Sequence, residues 1–177
     1  MKKMTAVVVA LAVIATFAQA APVLVARMEG PITPVSARFL AGAVDRANRT
    51  DASCLVIMMD TPGGLDESMR QVIKRIMSSE VPVVVFVAPQ GSRAASAGAF
   101  ITLSAHVAAM APGTSIGAAH PVSIGQGGQQ DSTMAGKVTN DAAAYIRSIA
   151  EKRGRDVAWA DSAVRRSVSL SETEALK

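Results

Sequence analysis

The segment "VPVVVFVAPQGSRAASAGAF", residues 81–100, joins an apolar strand pattern to a small-residue helix pattern around one serine. A continuous valine-rich run bounded by polar residues is typical of a strand buried on both faces of a parallel sheet. Ser96 is the one side chain in the central "AASAGA" that can act as a nucleophile. The alanines and glycine around it predict close backbone packing or a close approach by another molecule.

The segments before residues 81–100 alternate between strand and helix patterns. "PVLVARMEG" predicts a short strand, and "SCLVIMMD" predicts a second strand covered on both faces, with Cys54 as a small core residue. Apolar residues recur at helical spacing in 34–50 and in 65–77. Strands that alternate with helices predict an α/β fold with right-handed crossovers.

The segments after Ser96 continue the alternation with shorter elements. "RAASAGAFITLSA" predicts a helix, "HVAAMAPGTSIGA" a short strand followed by a turn, and residues 120–136 a loop. A long helix follows, with Lys137 in its first turn and its end near Gly154, and "DVAWADSAV" predicts another helix. "SLSETEALK" begins as a helix and stops, so we expect a C-terminus truncated relative to a complete domain.

The composition and the N-terminus set the class of protein. The chain has 177 residues, half of them apolar, and the length predicts one domain. "MKKMTAVVVALAVIATFAQA" has a basic start, an apolar centre and a small-x-small end, as in a secretory signal. We therefore expect a signal segment in 1–20, or an uncleaved anchor there, and an exported domain in 21–177. The expected location is the periplasm or the outer side of the inner membrane.

Charge patterning excludes one class of partner. Without Lys2 and Lys3 of the leader, 16 basic and 14 acidic residues remain. Basic runs with interleaved aromatic residues are missing from the sequence, so we do not expect nucleic acid binding. We expect neither a metal nor another cofactor.

The motif "DTPGG", residues 60–64, lies between a strand pattern and a helix pattern. Two glycines let the backbone turn sharply and leave amide N–H groups uncovered by side chains. These amides, with the helix N-terminus behind them, favour a negatively charged oxygen. The alternative is a simple tight turn.

Ser96 also follows a strand pattern and begins a helix pattern. This placement is that of a nucleophile elbow, although the first glycine of the G-x-S-x-G form is missing. The alternative is a small residue that lets a helix pack closely on a sheet.

A serine nucleophile needs a base, and three residues are candidates. His106 stands at the entry to a strand, which favours a structural role, whereas His120 lies in a glycine-rich segment that could reach a site. For Lys137, the helix dipole and desolvation by nearby Ala, Val and Met favour the neutral amine. A surface ion pair between Lys137 and Asp141 is the alternative, and the residues alone leave this choice open.

Five motifs in register carry a resemblance to a known family. "DTPGG", "SRAASAG", "GTSIGAAHPV", "KVTNDAAAYIRSIAEKRGR" and "LSETEALK" resemble the NfeD family of membrane-associated serine proteases, which are partners of stomatin-like proteins. The resemblance runs from about Pro22 to Lys177. It implies a Clp protease/crotonase-like fold of repeated ββα units. The family usually continues with membrane helices and a small β-barrel domain, which this sequence lacks.

The resemblance also implies the residues of a site. Ser96 becomes the nucleophile, Lys137 the general base, and the N–H groups of Gly64 and Ala97 the oxyanion hole. The residues expected to bind substrate are Gly63, Leu65 and His120. A catalytic His120 would need an orienting acid, and Ser167 stands where the related Clp proteases would carry it, so the Ser–Lys dyad is preferred.

The function expected from these residues is that of an exported serine endopeptidase. Its substrate would be an apolar segment of a stomatin-like membrane partner, and we expect a homodimer. Two other functions stay open. One is an inactive scaffold that binds a stomatin-like protein, and the other is a crotonase-like acyl-CoA enzyme, against which the leader, Ser96 and Lys137 all count.

Overall fold

A computed structural model describes residues 21–122 and 132–176. The described strands are β1 (Val23–Glu29), β2 (Cys54–Asp60), β3 (Val83–Val87), β4 (Arg93–Ala95), β5 (Val107–Met110), β6 (Ser115–Gly117) and β7 (Ser169–Ser171). The described helices are α1 (Pro34–Arg49), α2 (Asp66–Met77), α3 (Ala97–Ser104), α4 (Ser132–Lys152), α5 (Val157–Arg165) and α6 (Glu172–Ala175).

The strands form two sheets. The larger sheet is parallel, in the order β1-β2-β3-β5. The smaller sheet has the order β4-β6-β7, in which β4 and β6 are parallel and β7 is antiparallel to β6. Strands alternate with helices along the chain, which confirms the α/β class.

The chain repeats a ββα unit. β3, β4 and α3 form one unit, and β5, β6 and α4 form the next. In the two earlier units the second strand is reduced to an isolated bridge, Ile32 with Gly64 in one and Thr61 with Ala94 in the other. These bridges connect the smaller sheet and the "DTPGG" turn to the ends of the larger sheet.

The helices α1, α2 and α3 cover one face of the larger sheet. Each successive strand is added on the same side, so right-handed crossovers place these helices on a common face. The residues of that face are fully buried, among them Leu55, Ile57 and Met59 of β2. The expectation that β2 is covered on both faces is therefore wrong for the described chain, because its alternate residues, including the free Cys54, are only half-buried.

The start of α1 illustrates how the sequence sets a helix boundary. The Thr33 hydroxyl accepts from the Ser36 N–H at 3.3 Å, and the Ser36 hydroxyl accepts from the Thr33 N–H at 2.8 Å. Pro34 stands at the first helical position, where its missing N–H costs no hydrogen bond. This reciprocal cap explains why the helix begins where the sequence predicts it.

Three predicted boundaries need correction. Residues 93–95 form β4 rather than the start of a helix, since the Ala95 N–H donates to the Thr61 carbonyl at 3.1 Å. The predicted turn after β5 contains β6. The predicted loop at 120–136 ends in helix, because α4 begins at Ser132, and residues 123–131 lie outside the described residues.

The earlier start of α4 changes the setting of Lys137. Lys137 lies in the second turn of α4 rather than in the first. The field of a helix terminus falls off within the first turn, so it acts less on this amine than expected. Across residues 21–122 and 132–176, helices are too short or too polar to span a bilayer.

Candidate active site

Ser96 lies at the junction of β4 and α3 in a strained conformation. Its φ is 51° and its ψ is −117°, a region that costs a non-glycine residue free energy. Hydrogen bonds hold it there. The Ser96 N–H donates to the Gly117 carbonyl at 2.9 Å, and the Ser96 carbonyl accepts from the Ala99 N–H at 3.0 Å. The backbone therefore fixes where the hydroxyl stands.

The paired-glycine turn lies directly against this serine. A Cβ atom added at Gly63 would stand 2.6 Å from the Ser96 Cβ and 3.2 Å from the Ser96 Oγ. Gly63 also has a φ of 119°, which favours glycine. The structure thus brings together the two motifs that the sequence analysis singled out separately.

Gly64 is held by the backbone of Ile32. The Ile32 N–H donates to the Gly63 carbonyl at 2.7 Å, and the Leu65 N–H donates to the Ile32 carbonyl at 2.9 Å. A Cβ atom at Gly64 would stand 2.1 Å from that same carbonyl oxygen, so only glycine fits.

Two backbone donors near the serine are unused. The Gly64 N–H and the Ala97 N–H donate no hydrogen bond to any residue in 21–122 or 132–176. Gly64 belongs to the turn that touches Ser96, and Ala97 follows Ser96 directly. Two unused amides beside one hydroxyl can stabilise a negative oxygen that develops on a bound carbonyl.

Thr61 is a buried support that the sequence analysis missed. Its hydroxyl accepts from the Gly63 N–H at 3.1 Å and donates to the Gly63 carbonyl at 3.2 Å. The Thr61 N–H donates to the Arg93 carbonyl at 2.8 Å, and the Asp60 carboxylate accepts from the Arg93 N–H at 3.0 Å. Thr61 therefore ties the glycine turn to β4. Its place inside "DTPGG" was the available signal.

Lys137 lies on a helix that packs against the helix of Ser96. α4 contacts α3, and the Tyr145 ring of α4 stacks on the Phe100 ring of α3 with centroids 6.1 Å apart. Lys137 itself is exposed, as are its neighbours Met134 and Val138. The predicted desolvation of this amine is therefore wrong for the single chain, since the apolar residues meant to cover it face outward.

The predicted alternative for Lys137 is not formed either. Asp141 pairs with Arg70 of α2, with Nη2 and Oδ2 2.5 Å apart, instead of with Lys137. Lys137 forms no ion pair with any residue in the described ranges.

His106 has the structural role that the sequence favours. Its Nδ1 accepts from the Val83 N–H at 3.1 Å, and the backbone N–H of His106 donates to the Val83 carbonyl at 2.9 Å. Desolvation by burial lowers the pKa of His106, and the positive charges of Arg153 and Arg155 lower it further. His106 is thus held as a neutral acceptor between β3 and β5.

His120 is exposed and is oriented by a carbonyl. Its Nδ1 lies 2.9 Å from the Val164 oxygen, which leaves the other ring nitrogen directed elsewhere. Leu65, at the end of the glycine turn, exposes 45% of its surface. These two residues and Gly63 are the expected substrate contacts. No cluster of three metal-binding side chains occurs in the part of the chain that the structure describes.

The repeated ββα units and the strained serine against a paired-glycine turn define a class of protein, the α/β proteins with a Clp protease-like fold. The comparison with family models is more specific. A model of the NfeD1b N-terminal domain matches residues 23–177, and the chain belongs to this family.

Two curated relatives agree with this assignment. The membrane-bound protease PH1510 of Pyrococcus horikoshii is 40% identical over 157 residues, which cover 88% of this chain and 35% of that protein. The membrane protein NfeD1b of Bacillus subtilis is 36% identical over 124 residues, which cover 70% of this chain and 26% of that protein. The chain thus spans about a third or less of the length of these relatives.

Solved structures of one similar protein share the fold. A serine-to-alanine mutant of the 1510-N membrane-bound stomatin-specific protease is 37% identical, with a TM-score of 0.82 over 89% of this chain and 76% of that one. A lysine-to-alanine mutant of it, in complex with a substrate peptide, gives 37% identity and a TM-score of 0.80 over 88% of this chain and 71% of that one.

Proposed function

We propose that this chain is a serine protease domain in which Ser96 is the nucleophile and Lys137 the general base. The observation that carries the proposal is the strained Ser96 held against Gly63, beside two unused backbone donors. The mutated serine and lysine of the stomatin-specific relative are 41 positions apart, and so are Ser96 and Lys137. The packing of α4 on α3 supports the same pairing.

The proposed mechanism has two covalent steps. The neutral Lys137 amine takes the proton of the Ser96 hydroxyl as the serine oxygen attacks the scissile carbonyl carbon. The Gly64 and Ala97 N–H groups stabilise the oxyanion, each contributing roughly 10²–10³ in rate. The C–N bond then breaks, the protonated lysine returns its proton to the leaving amine, and a water molecule releases the acyl group by the reverse sequence.

The proposed substrate is an apolar polypeptide segment of a stomatin-like membrane partner. The exposed Leu65 offers an apolar contact beside the nucleophile, and Gly63 leaves room for a substrate backbone. His120 stands three residues after Gly117, whose carbonyl holds Ser96, so it can contact bound substrate. The relatives are named as membrane proteins, and one as stomatin-specific.

The proposed cellular location follows from the expected signal segment and exported domain. Residues 1–20 act as an export signal, and residues 21–177 form the protease domain at the periplasmic side of the inner membrane. The domain acts as a homodimer. Met134 and Val138, which are exposed beside Lys137 in the single chain, would then be covered by a second copy or by substrate.

Cleavage of an apolar peptide taken from a stomatin-like protein tests the proposed activity. We expect hydrolysis by the parent chain and none by Ser96→Ala. Ser148→Ala, which removes an exposed hydroxyl on α4, serves as the matched control and should retain full activity. A parent chain that binds the peptide without cleaving it would instead support the scaffold function.

A further inference from the structure

One cluster of side chains connects the three elements that carry the proposed site. The Arg70 guanidinium of α2 lies 4.3 Å from the centre of the Tyr145 ring of α4. That ring stacks in turn on Phe100 of α3, with an interplanar angle of 27°. α2 follows the paired-glycine turn, α3 begins after Ser96, and α4 carries Lys137. We refer to Arg70, Tyr145 and Phe100 as the helix clamp.

Arg70 is held in one orientation by two carboxylates. Its Nε donates to Asp66 of the same helix at 2.7 Å, and its Nη2 donates to Asp141 of α4 at 2.5 Å. A planar guanidinium has N–H donors in a fixed fork, so it can satisfy both carboxylates while its face lies over an aromatic ring. The Arg70 side chain is 28% exposed, whereas the side chains of Asp66 and Asp141 are 61% and 70% exposed. The two ion pairs are therefore weak by themselves, and their effect here is to orient the guanidinium.

The charge of Arg70 is stabilised within this cluster. Desolvation by burial would lower the pKa of Arg70, but the hydrogen bonds and charges of Asp66 and Asp141 raise it above its ordinary value. The guanidinium is therefore a permanent cation between α2 and α4.

The contact with Arg70 also determines where the carboxylate of Asp141 lies. This residue stands one helical turn after Lys137, at the i,i+4 position where opposite charges attract. Arg70 holds the Asp141 carboxylate instead, so the lysine amine has no carboxylate partner in the described chain. A nearby carboxylate favours the protonated form of an amine, and Arg70 holds this carboxylate away.

Two of the remaining charged groups near α4 are engaged elsewhere. Arg147 of α4 and Arg165 of α5 both contact Asp161, and Arg165 also donates to Asn140 at 2.9 Å. Glu151 and Lys152 lie about four helical turns along α4 from Lys137, and Glu67 of α2 forms no ion pair in the described chain. α3 contributes no charged residue. Asp141 is thus the carboxylate that can reach Lys137 along its own helix when Arg70 is removed.

We propose that Arg70 is a positioning residue that holds α4 against α2 and α3 and keeps the Asp141 carboxylate away from Lys137. This inference rests on the proposed function, because it assigns Arg70 a role through the Lys137 amine. The amine is thereby placed toward Ser96 and stays available as a base.

The test is the pH dependence of peptide hydrolysis by Arg70→Ala. We expect the pH of half-maximal activity to rise by about 0.15–0.4 unit, since the freed Asp141 now pairs with Lys137. We expect kcat to fall about tenfold or more through loss of alignment, with little change in KM. Arg70→Gln, which is shorter and uncharged but keeps an amide donor, should show both effects and guards against a folding defect in the alanine variant.

Rescue separates the two roles of Arg70. Arg70→Ala combined with Asp141→Asn should restore the pH of half-maximal activity while kcat stays low. Lys74→Ala, which removes an exposed cation from the same helix, is the matched control and should leave both quantities unchanged. A parent chain without activity would refute the proposed function. An active parent whose pH profile and kcat are unaltered in both Arg70 variants would refute the helix clamp alone.

Discussion

The serine side of the site, from the paired-glycine turn to Ser96, is fixed by backbone hydrogen bonds, whereas the lysine side, on α4, is fixed by side chains. On the serine side, Thr61, Gly63 and Gly117 hold neighbouring backbone atoms at 2.7–3.2 Å. On the lysine side, Arg70 and Tyr145 join α4 to the rest of the site. The proposed nucleophile is therefore preorganised by backbone hydrogen bonds, while the position of the proposed base depends on particular side chains.

The largest expected effect lies on the lysine side. Lys137→Ala should lower peptide hydrolysis by about 10³-fold or more, because the proposed mechanism uses this amine to take the serine proton. His120→Ala removes the rival base and should change the rate only a few-fold. Both rates are measured on the same apolar peptide. Loss of activity in His120→Ala alone would reverse the assignment.

A glycine substitution tests how strictly the backbone fixes the serine side. Gly63→Ala should lower the free energy of unfolding by about 2 kcal/mol or more, since its Cβ would overlap Ser96 at a φ that alanine resists. Gly42→Ala on α1 meets no atom within 4 Å and should instead stabilise the chain by about 0.5–1 kcal/mol. Denaturant unfolding of both variants measures this contrast. Equal effects would show that the turn is not constrained.

The strain at Ser96 predicts a smaller change in stability, in which glycine is the more stable replacement. Ser96→Gly should be more stable than Ser96→Ala by about 1 kcal/mol, because glycine adopts a φ of 51° without steric cost. Thermal unfolding of the two inactive variants provides the comparison. A less stable glycine variant would mean that the serine conformation is relaxed.

The smallest expected effect concerns a residue on neither side of the site. The pKa of His106 is lowered in the folded chain, so as pH falls below about 6.5 the unfolded chain binds a proton that the folded chain does not. The stability contributed by neutral His106 is lost in this window, and the loss ends once the pH is below the folded-state pKa. His106→Asn keeps an acceptor for the Val83 N–H and should flatten the dependence of unfolding free energy on pH between 7 and 5. Parallel curves for the two chains would contradict this account.

The sequence predicts much of the fold because the long elements have clear periodicity. β1, α1, β2, α2 and β3 follow from apolar runs and helical spacing. β4, β6 and β7 have three residues each and pair with partners distant in sequence, so local patterns do not predict them. The early start of α4 is difficult to predict, because its first residues, Ser132 and Thr133, are polar and Gly136 is a poor helix former.

The candidate site also contains parts that local sequence patterns predict and parts that they do not. Ser96 and the glycine turn were predictable as separate motifs, since each stands between a strand pattern and a helix pattern. Arg70 was not, because its partner Asp141 lies 71 positions away and no local pattern connects them. The exposure of Lys137 was also missed, since helical spacing does not report what covers a helix face.

The rate at which a fluorophosphonate labels Ser96 shows whether the Lys137 amine activates this hydroxyl. The rate would be measured between about pH 6 and pH 10 in the parent chain and in Lys137→Ala, with the labelled peptide mapped in each. We predict a parent rate that rises with pH, and a rate in Lys137→Ala that is at least about 100-fold lower and does not rise in the same way. Equal labelling of Ser96 in the two chains, or a parent rate independent of pH, would contradict the account.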